Sequence, residues 1–124
     1  MTLCFHDGNV FFTSANCELL REHWSGDLDA GFVYAGISSR GILKVGMSRR
    51  CPFCRMRQQC LDPRGVAFSR HVFEHEARII RLLGNAVRGR EWFTNPEPRL
   101  NFLFRTGLMN DLLVTELLLA REYG

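Results

Sequence analysis

The stretch from Gly31 to Ser48, GFVYAGISSRGILKVGMS, constrains this chain more than any other. Two short apolar runs, Phe32-Val33-Tyr34-Ala35 and Ile42-Leu43-Lys44-Val45, flank the polar, glycine-bearing segment Ser38-Ser39-Arg40-Gly41. β-Branched and aromatic residues on either side of such a turn signal predict a β-hairpin. Each strand carries one polar group in an apolar setting, the phenol of Tyr34 and the ammonium of Lys44. Lys44 is the only lysine, the other fifteen basic residues all being arginine. An unpaired buried charge is costly, so a lone lysine inside an apolar strand marks a candidate site.

Length and composition fix the setting of that hairpin. A chain of 124 residues with 46% hydrophobic and 23% charged residues fits one soluble globular domain. No apolar run reaches the roughly 20 residues a membrane span needs, and the N-terminus lacks a basic region followed by an apolar core. The expectation is an intracellular protein with no membrane partner and no cleaved signal, cytoplasmic, or nuclear in a eukaryote or its virus. Five cysteines, an odd number, fit a reducing compartment. The net charge of +3 hides an asymmetry. Between Arg40 and Arg90, eleven arginines and Lys44 face only Asp62, Glu74 and Glu76, so the middle carries +9 and the flanks −6. A basic middle is the footprint of a phosphate-binding surface, or else of arginines that solvate a helix face and pair with acids.

Along the chain, residues 9–12 suggest a short strand and residues 17–24 a short amphipathic helix ended by Ser25-Gly26-Asp27. After the hairpin, Arg49-Arg50-Cys51-Pro52-Phe53-Cys54-Arg55-Met56-Arg57-Gln58-Gln59-Cys60 starts a helix, with Pro52 at its first position. Cys51, Cys54, Cys60 and His71 supply enough ligands for a structural Zn²⁺ site, although there is no second CxxC. Redox chemistry of the thioredoxin type is disfavoured because this CxxC does not follow a strand in a βαβ pattern. Asp62-Pro63-Arg64-Gly65 predicts a turn and residues 66–72 a third strand. A helix over residues 73–83 follows, with Phe73, Ala77, Ile80 and Leu83 on one face and Glu76 and Ile79 beside it. Glu76 therefore leans toward the apolar side, unlike Glu74, and needs a cation, either an arginine or a metal ion. Asn95 and Pro96 start a helix with Leu100, Leu103 and Phe104 on its apolar face. Residues 112–120 form a last helix, seven of nine apolar, either sandwiched in the domain or an interface for a homodimer. There are no internal repeats.

Phe32-Val33-Tyr34, then Lys44-Val45-Gly46, then Arg90-Glu91-Trp92-Phe93 resemble the motifs of the GIY-YIG nuclease superfamily. The likeness is to its phage-borne branch, with a KIG second motif and a GEWF-like signature, and spans roughly Gly31 to Phe93. It implies an α+β fold, a small three-stranded antiparallel sheet flanked by helices. The nuclease core would cover residues 31–94, with an extension over 1–30 and a helical one over 95–124. It further implies a metal-dependent DNA endonuclease using a tyrosine general base and one Mg²⁺ or Mn²⁺ ion. Tyr34 matches the base, whose phenol pKa of about 10 would have to be lowered by Lys44 and Arg55. Arg55-Met56-Arg57-Gln58 resembles the family's helix after the second motif, which makes Arg55 the catalytic arginine and Arg57 the fallback. Glu76 matches the metal-binding glutamate. Arg40, Arg49, Arg50 and Arg57 would contact the nucleic acid. Glu91 is expected to pair with an arginine. The family's histidine four residues after the glutamate is Ile80 here, and neither His71 nor His75 has its spacing. That departure sustains an alternative, a catalytically silent module that binds nucleic acid or a protein, with or without zinc.

Overall fold

The structure, a computed structural model, describes residues 5–6, 9–10, 12–84 and 91–123. Along the chain run β1 (Phe5–His6), β2 (Asn9–Val10), α1 (Ser14–His23), β3 (Gly31–Ile37), β4 (Leu43–Ser48) and α2 (Pro52–Gln58). They are followed by β5 (Asp62–Ser69), α3 (Val72–Leu83), β6 (Trp92–Phe93), α4 (Pro96–Arg105), β7 (Asn110–Asp111) and α5 (Leu112–Tyr123). β1 and β2 pair with each other, and the other five strands form one antiparallel sheet in the order β6-β4-β3-β5-β7. The mixed α/β class is as expected, but the sheet has five strands and not three. The expected three form its centre. β6 and β7 are two residues each, too short to show an alternating pattern in the sequence.

The hairpin forms where the sequence places it. Ser38 N–H donates to Ile42 O and Gly41 N–H to Ser38 O, both at 2.9 Å. Gly41 takes φ +77°, which only glycine adopts at no steric cost. Strand β3 is buried on both faces, and its alternation divides the core in two. Phe32 and Tyr34 pack with Cys17 and Leu20 of α1, Met56 of α2, and Leu112 at the start of α5. Val33 and Ala35 pack on the other side with Ile79 and Leu83 of α3 and Leu100 and Leu103 of α4. Directly opposite residues share a face, so Tyr34 opposite Gly46 and Gly36 opposite Lys44 put the phenol and the ammonium on the same side.

Several boundaries move. Helix α1 begins at Ser14, because the Thr13 side chain accepts the Asn16 N–H at 3.1 Å and caps it. β5 begins at Asp62 where a turn was expected: pairing with β3 holds Asp62 and Pro63 extended, around an irregularity between Ala35 and Gly36. On α3 the buried residues are Val72, Ile79 and Leu83, while Phe73 is 53% exposed and Ala77 is exposed. Glu76 therefore sits in the middle of the inward stripe formed by residues 72, 79 and 83, and not at its margin. Asn95 does occupy the cap position of α4, but in a left-handed conformation and without a side-chain capping bond. Leu100 and Leu103 are buried as expected. On α5, Leu112 and Thr115 are buried, whereas Leu113, Val114 and Leu117 are exposed. Among the described residues no helix is long and apolar enough to cross a membrane.

Helix α2 ends in a Schellman motif, with Leu61 N–H bonded to Met56 O at 2.9 Å and Cys60 N–H to Arg57 O at 3.1 Å. Leu61 and Met56 also meet in the core. The left-handed residue of that motif is Cys60, at φ 57°, where glycine would be unstrained. Cys60→Gly should therefore raise the unfolding free energy by about 1 kcal/mol, after allowing for the greater freedom of glycine when unfolded. Urea denaturation of both proteins measures this; a lower midpoint would show that the Cys60 side chain makes a compensating contact.

Candidate active site

Tyr34 stands at the centre of the sheet, 1% exposed. Its ring lies across β4: a Cβ built on Gly46 would be 2.4 Å from the phenol oxygen and 2.5 Å from Cζ. Nothing larger than glycine fits opposite this tyrosine. The phenol O–H donates to Gln59 Oε1 at 2.8 Å. Burial raises the phenol pKa above its ordinary value; the charge and hydrogen bonding of Arg55 and the bond with Gln59 oppose the rise, and Glu91 adds to it. The net shift is upward, contrary to the lowered phenol expected from the sequence. Arg55 acts in the expected direction, while desolvation outweighs it.

The ammonium of Lys44 is engaged with a carboxylate and is not among the groups that act on the phenol. Lys44 is 7% exposed and forms an ion pair with Glu91, with its Nζ 5.0 Å from the centroid of the Trp92 ring. Among the described residues Glu91 thus pairs with the lysine and not with an arginine. Register brings them together: Lys44 lies opposite Trp92 across the β4–β6 ladder, and Val45 N–H donates to Glu91 O at 3.0 Å. Glu76 enters the same electrostatic group from α3. Burial raises its carboxyl pKa, the charge of Glu91 raises it further, and Lys44 partly offsets both. Lys44 is ion-paired with Glu91, and its charge only partly offsets the burial of Glu76, a carboxylate that a cation would stabilise. Mg²⁺ is commonly held by one or two carboxylates with waters completing its shell, and the half-buried Glu76 is such a carboxylate, on a helix that packs against Val33 and Ala35, on the face of β3 opposite Tyr34.

The other expected residues divide clearly. Gln59, at the cap of α2, meets the phenol, and Arg55, one turn earlier on the same face, acts on its ionisation. Arg57 is exposed and its charge acts on Cys54. Arg49, Arg50 and Arg55 line one cavity of about 490 Å³. Arg49 and Arg50 also line a second, of about 280 Å³, with Arg21, Trp24 and Phe68. Arg40 is exposed at the hairpin turn, beyond the far end of β4 from Arg49 and Arg50, and lies outside that group. Of the zinc candidates, Cys51 and Cys54 share the first turn of α2, Cys60 lies past its other end, and His71 caps α3. Among the described residues no three His, Cys, Asp or Glu side chains gather as a metal-ligand group. His75 is held by the Leu108 carbonyl at 2.8 Å, and Ile80 packs against the core. Arg90 lies outside the described residues.

Sequence reasoning missed two members of this group. Gln59 was detectable as the residue one helical turn beyond Arg55; the partnership of Glu91 with Lys44 depended on the pairing of a two-residue strand. The chain matches no protein-family model, no curated protein and no solved structure.

The carboxyl of Glu76 gives the site a pH signature. Its pKa is raised above the ordinary 4.5, so its ionised form costs stability at neutral pH, and that cost vanishes as the pH falls below the ordinary value. Glu76→Gln should melt at a higher temperature than wild type at neutral pH in chelator, with the gain shrinking on acidification. Thermal unfolding across the carboxylate range measures it, and a gain independent of pH would rule out the charge as its cause.

Proposed function

We propose that this protein is a small metal-dependent DNA endonuclease of the GIY-YIG type. The observation that carries the proposal is the assembly around Tyr34: a phenol fitted over Gly46, with Arg55 and Gln59 at its oxygen. Of the charged groups, Glu91 acts on the phenol and links it to Lys44 and to Glu76. In this reading Tyr34 takes the proton from the attacking water. The Gln59 amide would turn over to present its N–H to the phenolate once the proton has left. Arg55, with five donors in a planar fork, neutralises the oxygens of the phosphoryl transition state. Lys44 holds Glu91 and Glu76 at a set charge. Glu76 holds Mg²⁺ or Mn²⁺, which when bound supplies Lewis-acid polarisation of a phosphate oxygen. Arg49 and Arg50 hold the flanking phosphates.

A raised phenol pKa dictates the pH profile. Below that pKa the phenolate fraction grows about tenfold per pH unit, so single-turnover cleavage with Mg²⁺ should rise with pH across the neutral and mildly alkaline range. Tyr34→Phe should abolish this dependence and lower the rate by about 10²-fold or more. Arg55→Ala and Glu76→Gln should lose activity while retaining the fold. Plasmid nicking assays test all three, and full activity of Tyr34→Phe would defeat the assignment.

One observation favours a second reading. Tyr34 and Lys44 are 1% and 7% exposed, and the lysine charge is already paired, so a nucleic acid would meet the arginine rim first. A module that binds DNA without cutting it would show salt-dependent affinity and no product with either metal. For double-strand cutting we propose a homodimer through the exposed Leu113, Val114 and Leu117 of α5. Light scattering should give a dimer for wild type and a monomer for Leu117→Glu; a monomeric wild type would sink this assembly.

A further inference from the structure

A second pair of reactive groups stands at the start of α2, apart from the assembly around Tyr34. Cys51, the cap of α2, and Cys54 stand three residues apart across its first turn, and each thiol acts on the ionisation of the other. On its other side, Cys51 Sγ lies 4.0 Å from Ser14 Oγ of α1. Neither thiol is core packing, since Cys54 is exposed and Cys51 partly so. Cys17 makes the contrast: it is 1% exposed, and burial pushes its thiol up to about 12, which leaves it inert. No third His, Cys, Asp or Glu joins the pair as a metal ligand among the described residues.

Both sulfurs border the cavity of about 490 Å³ that Arg49, Arg50 and Arg55 line. Among the described residues Glu18 is the one acid in that lining, against three arginines, so the walls are positive. Arg49 spends its donors on the carbonyls of Ala30 and Asp27, which orients the guanidinium without cancelling its charge. A volume of this size suits a small organic molecule, and the charge selects an anionic one.

We propose that Cys51 and Cys54 form a dithiol–disulfide couple that exchanges with a small disulfide bearing carboxylates, seated against Arg49, Arg50 and Arg55. Cys51 as thiolate attacks one sulfur of the small disulfide, forms a mixed disulfide, and releases the other half as a thiolate. Cys54, deprotonated in turn, attacks Cys51 Sγ and displaces the second half. Two protein thiols become one disulfide, the small disulfide becomes two thiols, and the two protons pass from the protein to the leaving thiolates. The two electrons go to the small molecule, so no other oxidant is needed. Residues three apart on a helix are neighbours on its surface, so a modest backbone adjustment closes this bond. The chemistry requires contact, access and a cationic wall, none of which depends on a βαβ frame. This couple stands whether or not the protein cuts DNA.

The experiment uses the reduced full chain and glutathione disulfide as probe, quenched by alkylation and mapped by mass spectrometry. Cys51 and Cys54 should become linked while Cys60, equally exposed, is alkylated. Cys54→Ser should trap one glutathione on Cys51, and Cys51→Ser should leave Cys54 alkylated. Arg50→Glu should slow the reaction with glutathione disulfide by about tenfold and leave that with uncharged hydroxyethyl disulfide unchanged. Oxidation of Cys60 as fast as Cys51, or no adduct in Cys54→Ser, would overturn the proposal. Stoichiometric zinc on the purified wild type that is lost in Cys51→Ser would overturn it as well.

Discussion

The phenol of Tyr34 resting on the bare backbone of Gly46 is the contact on which the rest of this structure depends. β3 is covered by helices on both faces, so a ring on its central residue needs a gap on a neighbouring strand. Gly46 supplies the gap. On the same face Gly36 lets the end of α2 close in, since a Cβ there would stand 2.8 Å from Leu61 Cβ and 3.3 Å from Met56 Sδ. The two glycines together make that face shallow. The approach of α2 is what brings Gln59 and Arg55 to the phenol oxygen, while the same burial raises the pKa that the arginine works to lower.

The charged groups form a second layer of dependence. A buried ammonium is retained at reasonable cost only with a partner, and β6 brings Glu91 to Lys44. The charge of Glu91 in turn raises the pKa of both the phenol and the Glu76 carboxyl. The arginines belong to a separate rim, where Arg49 and Arg50 join two cavities and serve both the proposed phosphate contacts and the proposed thiol exchange.

Much of the centre was legible from pattern. The hairpin announced itself through two apolar runs and a glycine turn, α2 through Pro52, and α3 through its helical period. Misreadings had local causes. Pro63 and Gly65 carry turn chemistry, yet strand pairing holds them extended in β5. Apolar identity puts the stripe of α3 on Phe73 and Ala77, because it does not tell which of two overlapping helical faces meets the sheet. The packing chose Val72, Ile79 and Leu83, and with them set Glu76 at the centre of the inward face.

By itself, then, the sequence determined the elements whose signals are local: the β3–β4 hairpin, the helices, the basic middle, and which side chains were chemically worth following. Only the tertiary structure decided who meets whom. Glu91 finding Lys44, Gln59 finding Tyr34 and Cys51 finding Ser14 are contacts between residues 47, 25 and 37 positions apart. Such pairings are fixed by strand register and helix packing, and periodicity within a short window carries no information about them.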